Sequence, residues 1–142
     1  MTDGGGIPLA FDLTSAKVHD LKPALCLVDT ISVPQPHGRA RRRPARLVAD
    51  KAYDARPFRQ ALRKRNIQPI IPRRVYVNPR AKHCGRPQGT YAPEHYRGRW
   101  KIERSNAWMD NYRRVAVRWD YTVSAFKAWI TLACILICLN QL

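Results

Sequence analysis

The sequence has few acidic side chains for its length. Ten Asp and Glu residues stand against 26 Lys and Arg, which gives a formal net charge of +16, and only two of the acids are glutamates. Because the basic excess runs through most of the chain, a polyanionic partner is implied, and nucleic acid is favoured over an anionic membrane. The competing interpretation is a basic protein whose charge serves solubility alone. That interpretation gives no role to the aromatic residues among the arginines.

The sequence also lacks a CxxC pair and a long apolar run. Its four cysteines are scattered, so neither a disulfide framework nor a zinc knuckle is supported. Cys134 and Cys138 lie one helical turn apart on an apolar segment and are interpreted as core residues. That segment, residues 128–139, is shorter than the ~20 residues that a membrane-spanning helix needs. With no secretory pattern in residues 1–6, a cytoplasmic protein that does not enter a membrane is expected.

The first residues have the chemistry of a hairpin turn. Asp3 is followed by three glycines, and the apolar residues of the stretch 7–13 alternate as in a strand that leaves a turn. Only two residues precede the turn, so its partner strand is expected to lie upstream of Met1. A helix capped by Asp20, with Pro23 in its first turn, is predicted to follow.

Residues 33–46 form a predicted basic loop rich in Pro, Gly and Arg. Two interpretations are equally supported: the loop is a surface that contacts DNA phosphates, or it is a solvated run of charge. The arginines concerned are Arg41, Arg42 and Arg43.

An α/β pattern follows this loop. A short apolar run ends at Asp50, a helix with Asp54 as its cap and Pro57 in its first turn comes next, and residues 67–71 read as a second strand. Strand, helix and strand at this spacing predict a parallel α/β unit, with Pro69 favouring a sheet edge.

The remaining chain is predicted to be one irregular insertion and two helices. Residues 73–92 are basic and aperiodic, residues 93–115 are predicted to form one helix, and residues 122–141 a buried helix that closes the fold. All of these elements are assigned to a single domain over residues 1–142.

Two carboxylates are candidates for chemistry. Asp50 follows a predicted parallel strand, at the edge where α/β sheets place ligands, although capping and turn roles explain most such aspartates. Glu103 shares a helix face with Tyr96 and Arg99, at i−7 and i−4. The alternative for Glu103 is an exposed ion pair with Arg99 worth a few tenths of a kcal/mol.

These residues carry a resemblance to a known family. The segment from Asp50 to Asp54, D-K-A-Y-D, resembles the second-aspartate box of the insertion-sequence-Five type of transposases. Tyr96, Arg99 and Glu103 match the Y-x-x-R-x-x-x-E signature that the insertion-sequence Four and Five groups share. Further similarities occur in the family's order around Gly6, before Asp20 and after Glu103, so the resemblance covers nearly the whole chain.

The resemblance implies a fold and a chemistry. The fold is α/β, a partial ribonuclease-H-like fold with a mixed sheet and flanking helices, lacking the N-terminal strands and ending in a closing helix. The implied function is DNA transposition: phosphodiester cleavage and strand transfer at transposon ends. Asp50 and Glu103 would be both catalytic residues and ligands of two Mg²⁺ (or Mn²⁺) ions ~4 Å apart, one activating the nucleophile and the other stabilising the leaving oxygen.

The sequence departs from the family pattern in two places. The family's first catalytic aspartate lies on a strand before the glycine-rich turn, and neither Asp3 nor Asp12 matches that box. The chain alone is therefore expected to be inactive, and an upstream transposase segment or a second transposase copy is an expected partner. The basic residue that can follow the glutamate by seven positions is replaced by Asp110, so Arg113 or Arg114 would take its part.

Transposon-end and target DNA are the implied partners. The alternative is a non-enzymatic basic nucleic-acid-binding module or a decayed transposase remnant. At least one of the tryptophans at 100 and 108 is expected to pack the helix. The predicted DNA-binding residues are Tyr96, Arg99, Trp100, Arg104, Arg113, Arg114, Arg41, Arg42 and Arg43.

Overall fold

The computed structural model describes residues 1–15, 17–73 and 93–141. Contacts within the chain divide it into two units: Met1–Arg43 together with Gly98–Leu142, and Pro44–Arg97. Nearly all of the predicted irregular insertion, residues 74–92, lies outside the described residues. The first unit contains the N-terminal turn, one helix, the basic loop and the C-terminal helices, and the second contains the strands.

The N-terminal turn is present, but it is paired within this chain, where the partner was predicted to lie upstream of Met1. Asp3 accepts a hydrogen bond of 2.8 Å from the backbone N–H of Ile7 through Oδ1, and Thr2 and Pro8 form an antiparallel bridge. Thr2 itself is thus the partner across the turn. The strand predicted over residues 7–13 is wrong, because within the described residues only this bridge is formed. A strand needs a paired neighbour, and Pro8 has no N–H to donate.

Helix α1 (Leu21–Asp29) follows, with Pro23 in its first turn as predicted. Its cap differs from the prediction. Asp20 already has helical backbone angles and its side chain makes no capping hydrogen bond. The first N–H of the helix is bound instead by Nδ1 of His19, at 3.2 Å. A capping side chain reaches back onto the first turn from an extended backbone, which Asp20 does not have.

The predicted basic loop is confirmed as a loop over residues 33–45, while Arg46 at its predicted end already belongs to a strand. The backbones of Val33 and Arg41 exchange hydrogen bonds of 2.9 and 2.8 Å, which close the intervening residues into a surface turn. Gly38, at φ +90°, adopts within it a backbone conformation that favours glycine.

The predicted strand–helix–strand unit is confirmed. Strand β1 (Arg46–Val48) leads to helix α2 (Arg56–Lys64) and then to strand β2 (Gln68–Ile70), and the two strands pair in parallel. Within the described part of the chain β2 has only β1 as a neighbour, which suits the edge position predicted from Pro69. The buried apolar side chains of this unit are Leu47, Phe58, Leu62, Ile67, Ile70 and Ile71.

The single helix predicted over residues 93–115 is wrong. The chain instead forms α3 (Pro93–Tyr96), a 3-10 turn, α4 (Trp100–Asp110) and α5 (Arg113–Ala116). Gly98, a poor helix former, lies in the 3-10 turn, and the extended backbone of Tyr112 separates α4 from α5.

The final helix, α6 (Val123–Leu139), begins as predicted. Thr122 is its cap and accepts a hydrogen bond of 3.3 Å from the N–H of Ala125. The predicted burial of this helix is confirmed for one face only, which carries Ile130, Ala133 and Ile137. The large apolar side chains left exposed on this helix are Val123, Trp129, Leu132, Ile135, Leu136 and Leu139. No helix of the described residues is both long and apolar enough to cross a membrane.

Candidate active site and nucleic-acid interface

Asp50 stands at the carboxyl end of β1, as the sequence predicts. The N–H of Ala49 bonds to the carbonyl of Ile70, so the parallel ladder continues up to the residue before Asp50. The Asp50 side chain is exposed and accepts a hydrogen bond of 2.7 Å from the N–H of Ala52 through Oδ1. Asp50 therefore caps a 3-10 turn, Lys51–Tyr53, while its carboxylate lies at the edge where parallel sheets hold ligands.

Asp54 does not cap α2, contrary to the prediction. Its Oδ1 forms an ion pair of 2.8 Å with Arg59, and both side chains are largely buried. Arg59 also donates to the carbonyl of Ile71 at 2.7 Å, beyond the end of β2. Ala55 occupies the N-cap position of α2. Asp54 therefore lies one residue too early in the sequence for its side chain to cap the first turn. Of the two aspartates in the box, Asp54 thus pairs with the α2 arginine that bonds to the chain just beyond β2.

Glu103 lies in the first turn of α4. Its Oε1 accepts a hydrogen bond of 2.7 Å from Arg99, and its side chain is 60% exposed. The predicted contact between Arg99 and Glu103 is therefore present, but the prediction that Tyr96 shares their helix face is wrong, because Tyr96 ends α3 and a 3-10 turn separates it from α4. So exposed a pair is worth only about 0.3–0.5 kcal/mol, and a carboxylate near a helix N-terminus is also favoured by the helix dipole. Asp50 and Glu103 belong to different units, and the expectation that both bind the same pair of ions stays a prediction.

The α4 helix is fastened to the N-terminal turn by three side chains. Lys101 donates to the carbonyl of Gly4 at 2.5 Å, Arg104 donates to that of Gly5, and Ser105 donates to that of Gly6 at 2.5 Å. Ser105 is 1% exposed, and it is the only polar side chain among the described residues that is buried. Three consecutive carbonyls are thus bound by one helix face, across almost 100 residues of sequence. We call residues 4–6 with these three side chains the glycine-turn clamp.

The clamp includes an arginine between two tryptophans. The guanidinium of Arg104 lies 5.0 Å from the ring centroid of Trp100 and 4.7 Å from that of Trp108. Cation–π contacts of this kind are worth about 0.5–2 kcal/mol each. The expectation that at least one tryptophan packs the helix agrees with Trp108, which is half-buried, whereas Trp100 is half exposed. The cation of Arg104 is engaged within the protein, and its predicted contact with DNA stays a prediction.

Sequence reasoning missed the clamp. The spacing of Trp100, Arg104 and Trp108, at i, i+4 and i+8, is a signal that could have indicated the stack. Nothing local marks Ser105, because its partner Gly6 is distant in sequence.

The other predicted DNA-binding residues lie in several elements. Tyr96 ends α3, which is tied to the start of β1 by a 2.5 Å contact between Arg46 and the His95 imidazole. Arg113 and Arg114 are exposed on α5, and the Arg114 guanidinium lies 5.4 Å from the ring of Trp129. Trp100 is half exposed. The loop arginines Arg41, Arg42 and Arg43 are all exposed.

The cysteines of α6 are half-buried. Burial raises the pKa of the Cys134 thiol, and the neighbouring Cys138 raises it further. Both observations agree with the interpretation of this pair as packing residues, since a protonated, buried thiol is a poor nucleophile.

The two candidate carboxylates fit a hard divalent cation chemically. Oxygen ligands suit Mg²⁺ and Mn²⁺ and do not favour zinc. The hydrogen bonds to Asp50 and Glu103 from described residues use one oxygen of each, Oδ1 and Oε1. Within residues 1–15, 17–73 and 93–141 no three His, Cys, Asp or Glu side chains are grouped as a metal site requires.

Comparison with known proteins identifies the class and then the family. The family model of the transposase DDE domain matches residues 1–138, so the chain contains a domain of the transposase class. It belongs to the DDE transposase family.

One relative matches the whole chain. It is a protein from Burkholderia cepacia whose name describes it as a transposase for insertion sequence element IS402. The two are 37% identical over 143 residues, which is 100% of this chain and 62% of the relative. The chain thus spans less than two thirds of the relative's length. No solved structure matches.

Proposed function

We propose that this chain is the C-terminal part of a ribonuclease-H-like transposase catalytic domain that acts in DNA transposition. The observation that carries the proposal is the position of Asp50, an exposed carboxylate at the carboxyl end of a parallel strand, inside a chain matched by the DDE domain model over residues 1–138. The reaction proposed is phosphodiester cleavage at a transposon end followed by transfer of the freed 3′-hydroxyl to target DNA.

Asp50 and Glu103 would hold Mg²⁺ or Mn²⁺ through carboxylate oxygens. Such ions supply activation of the attacking hydroxyl and stabilisation of the leaving oxygen. Arg99, bound to Oε1 of Glu103, would orient this carboxylate and leave Oε2 for a cation. The backbone N–H of Ala52 does the same for Asp50 by fixing Oδ1. A third carboxylate is proposed to come from the segment that carries the family's first aspartate.

The basic and aromatic residues would bind the DNA backbone. Arg41, Arg42 and Arg43 follow one another on an exposed surface loop. Because phosphate contacts are electrostatic and independent of sequence, this loop and the α5 arginines would orient the duplex without selecting its sequence.

A second candidate function is a non-enzymatic, basic nucleic-acid-binding module or a decayed transposase remnant. The ion pair between Arg99 and Glu103 favours it, because this contact gives the glutamate a role that needs no metal. The two candidates differ in whether Asp50 and Glu103 bind the same cations.

Iron-directed cleavage of the backbone tests the shared site. Fe²⁺ replaces Mg²⁺ at oxygen sites, and with ascorbate it produces radicals that cut the nearest backbone. The proposal expects cuts near residues 50 and 103, suppressed by excess Mg²⁺ and removed together by Glu103→Gln. The matched control is Glu94→Gln, at the other, exposed glutamate, which should leave the cuts unchanged. Cuts near only one carboxylate, or cuts indifferent to Glu103→Gln, would favour the non-enzymatic module.

A further inference from the structure

The loop between α5 and α6, residues 117–122, is braced from its own interior. The Arg118 side chain donates to the carbonyl of Asp120 at 3.0 Å through Nε and to that of Tyr121 at 3.2 Å through Nη2. Its guanidinium also lies 5.6 Å from the ring centroid of Phe126 on α6. One side chain therefore fixes two successive carbonyls and anchors them to the following helix, so the loop has a built conformation.

This braced loop holds two aromatic rings out in solvent. Trp119 is 62% exposed and Tyr121 is 102% exposed, whereas Asp120 between them is half-buried. The buried Oδ2 of Asp120 has no hydrogen-bond partner in the described residues. The alternation directs the acid inward and the two rings outward. Large aromatic side chains held in water on a braced loop lose the burial that usually stabilises them, which points to a partner.

The residues around the two rings favour nucleobases over a protein surface as the binding partner. The exposed cations Arg113 and Arg114 lie on α5, directly before the loop, in a chain of net charge +16. Flat rings beside cations suit polyanions with stacked bases. The exposed stripe of α6, in contrast, is mostly aliphatic, with Leu and Ile side chains that offer no π-face.

We propose that Trp119 and Tyr121 stack on unpaired bases of the bound DNA. The inference rests on the proposed DNA-binding function and names a distinct element of it. In a fully paired duplex both faces of each base are covered by neighbouring pairs, so these rings can stack only where a strand is open, distorted or ended. Phosphate contacts from the arginines would act on any duplex, and the rings would select DNA with exposed bases.

Binding of two matched oligonucleotides tests the proposal. One is a perfect duplex, and the other is the same duplex with a central stretch of unpaired bases containing 2-aminopurine, whose fluorescence falls when it is stacked on an aromatic ring. The variant Trp119→Ala/Tyr121→Ala is expected to weaken binding of the second DNA by about fivefold or more, from about 1–3 kcal/mol per stacked base. It is also expected to abolish quenching and to leave duplex affinity and its salt dependence unchanged. Trp119→Phe/Tyr121→Phe should restore quenching.

The matched control is Val117→Ala, at a half-exposed aliphatic residue of the same loop, which should change neither affinity. Equal weakening on both DNAs, or none on either, would overturn the proposal. Self-association in sedimentation that the alanine variant removes, with DNA binding intact, would overturn it in favour of a protein partner. If the wild-type chain binds neither of the two DNAs, the proposed function is overturned instead. The two failures are therefore distinguishable.

Discussion

The hydroxyl proton of Ser105 is shared between two carbonyl oxygens, that of Gly6 at 2.5 Å and that of Lys101, one turn before it in α4, at 2.8 Å. One buried hydroxyl thus connects the helix of Glu103 to the N-terminal turn. Because helix α4 carries the candidate catalytic glutamate, the rigidity of this connection bears on how firmly that carboxylate is held.

Replacement of Gly6 by alanine is expected to destabilise the protein by about 1–3 kcal/mol. Gly6 has φ +91°, and a Cβ there would lie 3.0 Å from Nη2 of Arg104 and 3.3 Å from Oγ of Ser105. Urea unfolding measures the change. Gly4→Ala is the matched control, because a Cβ at Gly4 meets no atom within 4 Å, and its effect should stay within about 0.5 kcal/mol. Equal effects of both substitutions would contradict the clamp.

The two aspartates of the D-K-A-Y-D box are expected to behave differently. Asp54→Ala should lower the free energy of unfolding by about 1–3 kcal/mol, because it leaves the largely buried Arg59 without its carboxylate. Asp50→Asn should change stability by less than about 0.5 kcal/mol, since asparagine also caps the turn. Thermal or urea unfolding measures both. A strong loss of stability in Asp50→Asn would indicate that this aspartate is chiefly structural.

The basic loop can be tested by salt dependence. Replacement of Arg41, Arg42 and Arg43 by glutamine should reduce the slope of log affinity against log salt by up to about 2.7, from about 0.9 per lost phosphate contact. Fluorescence anisotropy with a random duplex at several salt concentrations measures the slope. The matched control removes the same charge from exposed residues of α2, with glutamine at Arg56, Arg63 and Lys64. If both triple variants change the slope equally, the loop is a solvated run of charge.

The parallel α/β unit could be predicted from the sequence because its signals are local. A short apolar run before Asp50, a proline in the first turn of α2 and a second apolar run at strand spacing specify the elements of this unit. The start of α6 at Thr122 is equally local, since a threonine cap acts within three residues. Such features depend on neighbours in sequence, which a pattern can describe.

Features that depend on a choice between competing partners, or on distant ones, escaped prediction. Asp54 has the composition and place of a helix cap, yet an arginine five residues on takes its carboxylate into an ion pair. The apolar pattern of α6 predicts burial, but burial also requires a facing surface, and the second face of this helix has none within the described residues. The hydrogen bond from Ser105 to Gly6 joins residues 99 positions apart, a separation at which sequence patterns hold no information.

Residues 1–142 alone are expected not to cleave DNA. Two divalent ions bring four positive charges, and Asp50 and Glu103 supply only two negative ones in a chain of net charge +16. Two carboxylates cannot hold both ions at the ~4 Å spacing that in-line displacement requires. On the resemblance described above, neither Asp3 nor Asp12 matches the box of the family's first aspartate, so we expect this chain not to supply the third carboxylate. A third carboxylate from an upstream segment should therefore restore activity.

The assay is Mg²⁺- or Mn²⁺-dependent nicking of a transposon-end duplex. Purified 1–142 is compared with a fusion in which a segment that carries the family's first aspartate is joined before Met1. The fusion should nick the duplex only with metal, and Asp50→Asn or Glu103→Gln should each reduce its rate by at least about 100-fold, because each removes an ion ligand. Glu94→Gln, at the exposed glutamate of α3, is the control and should leave the rate unchanged. Metal-dependent nicking by 1–142 alone, lost in Glu103→Gln, would show that a carboxylate within this chain completes the site, and Asp12→Asn would then be the first substitution to test.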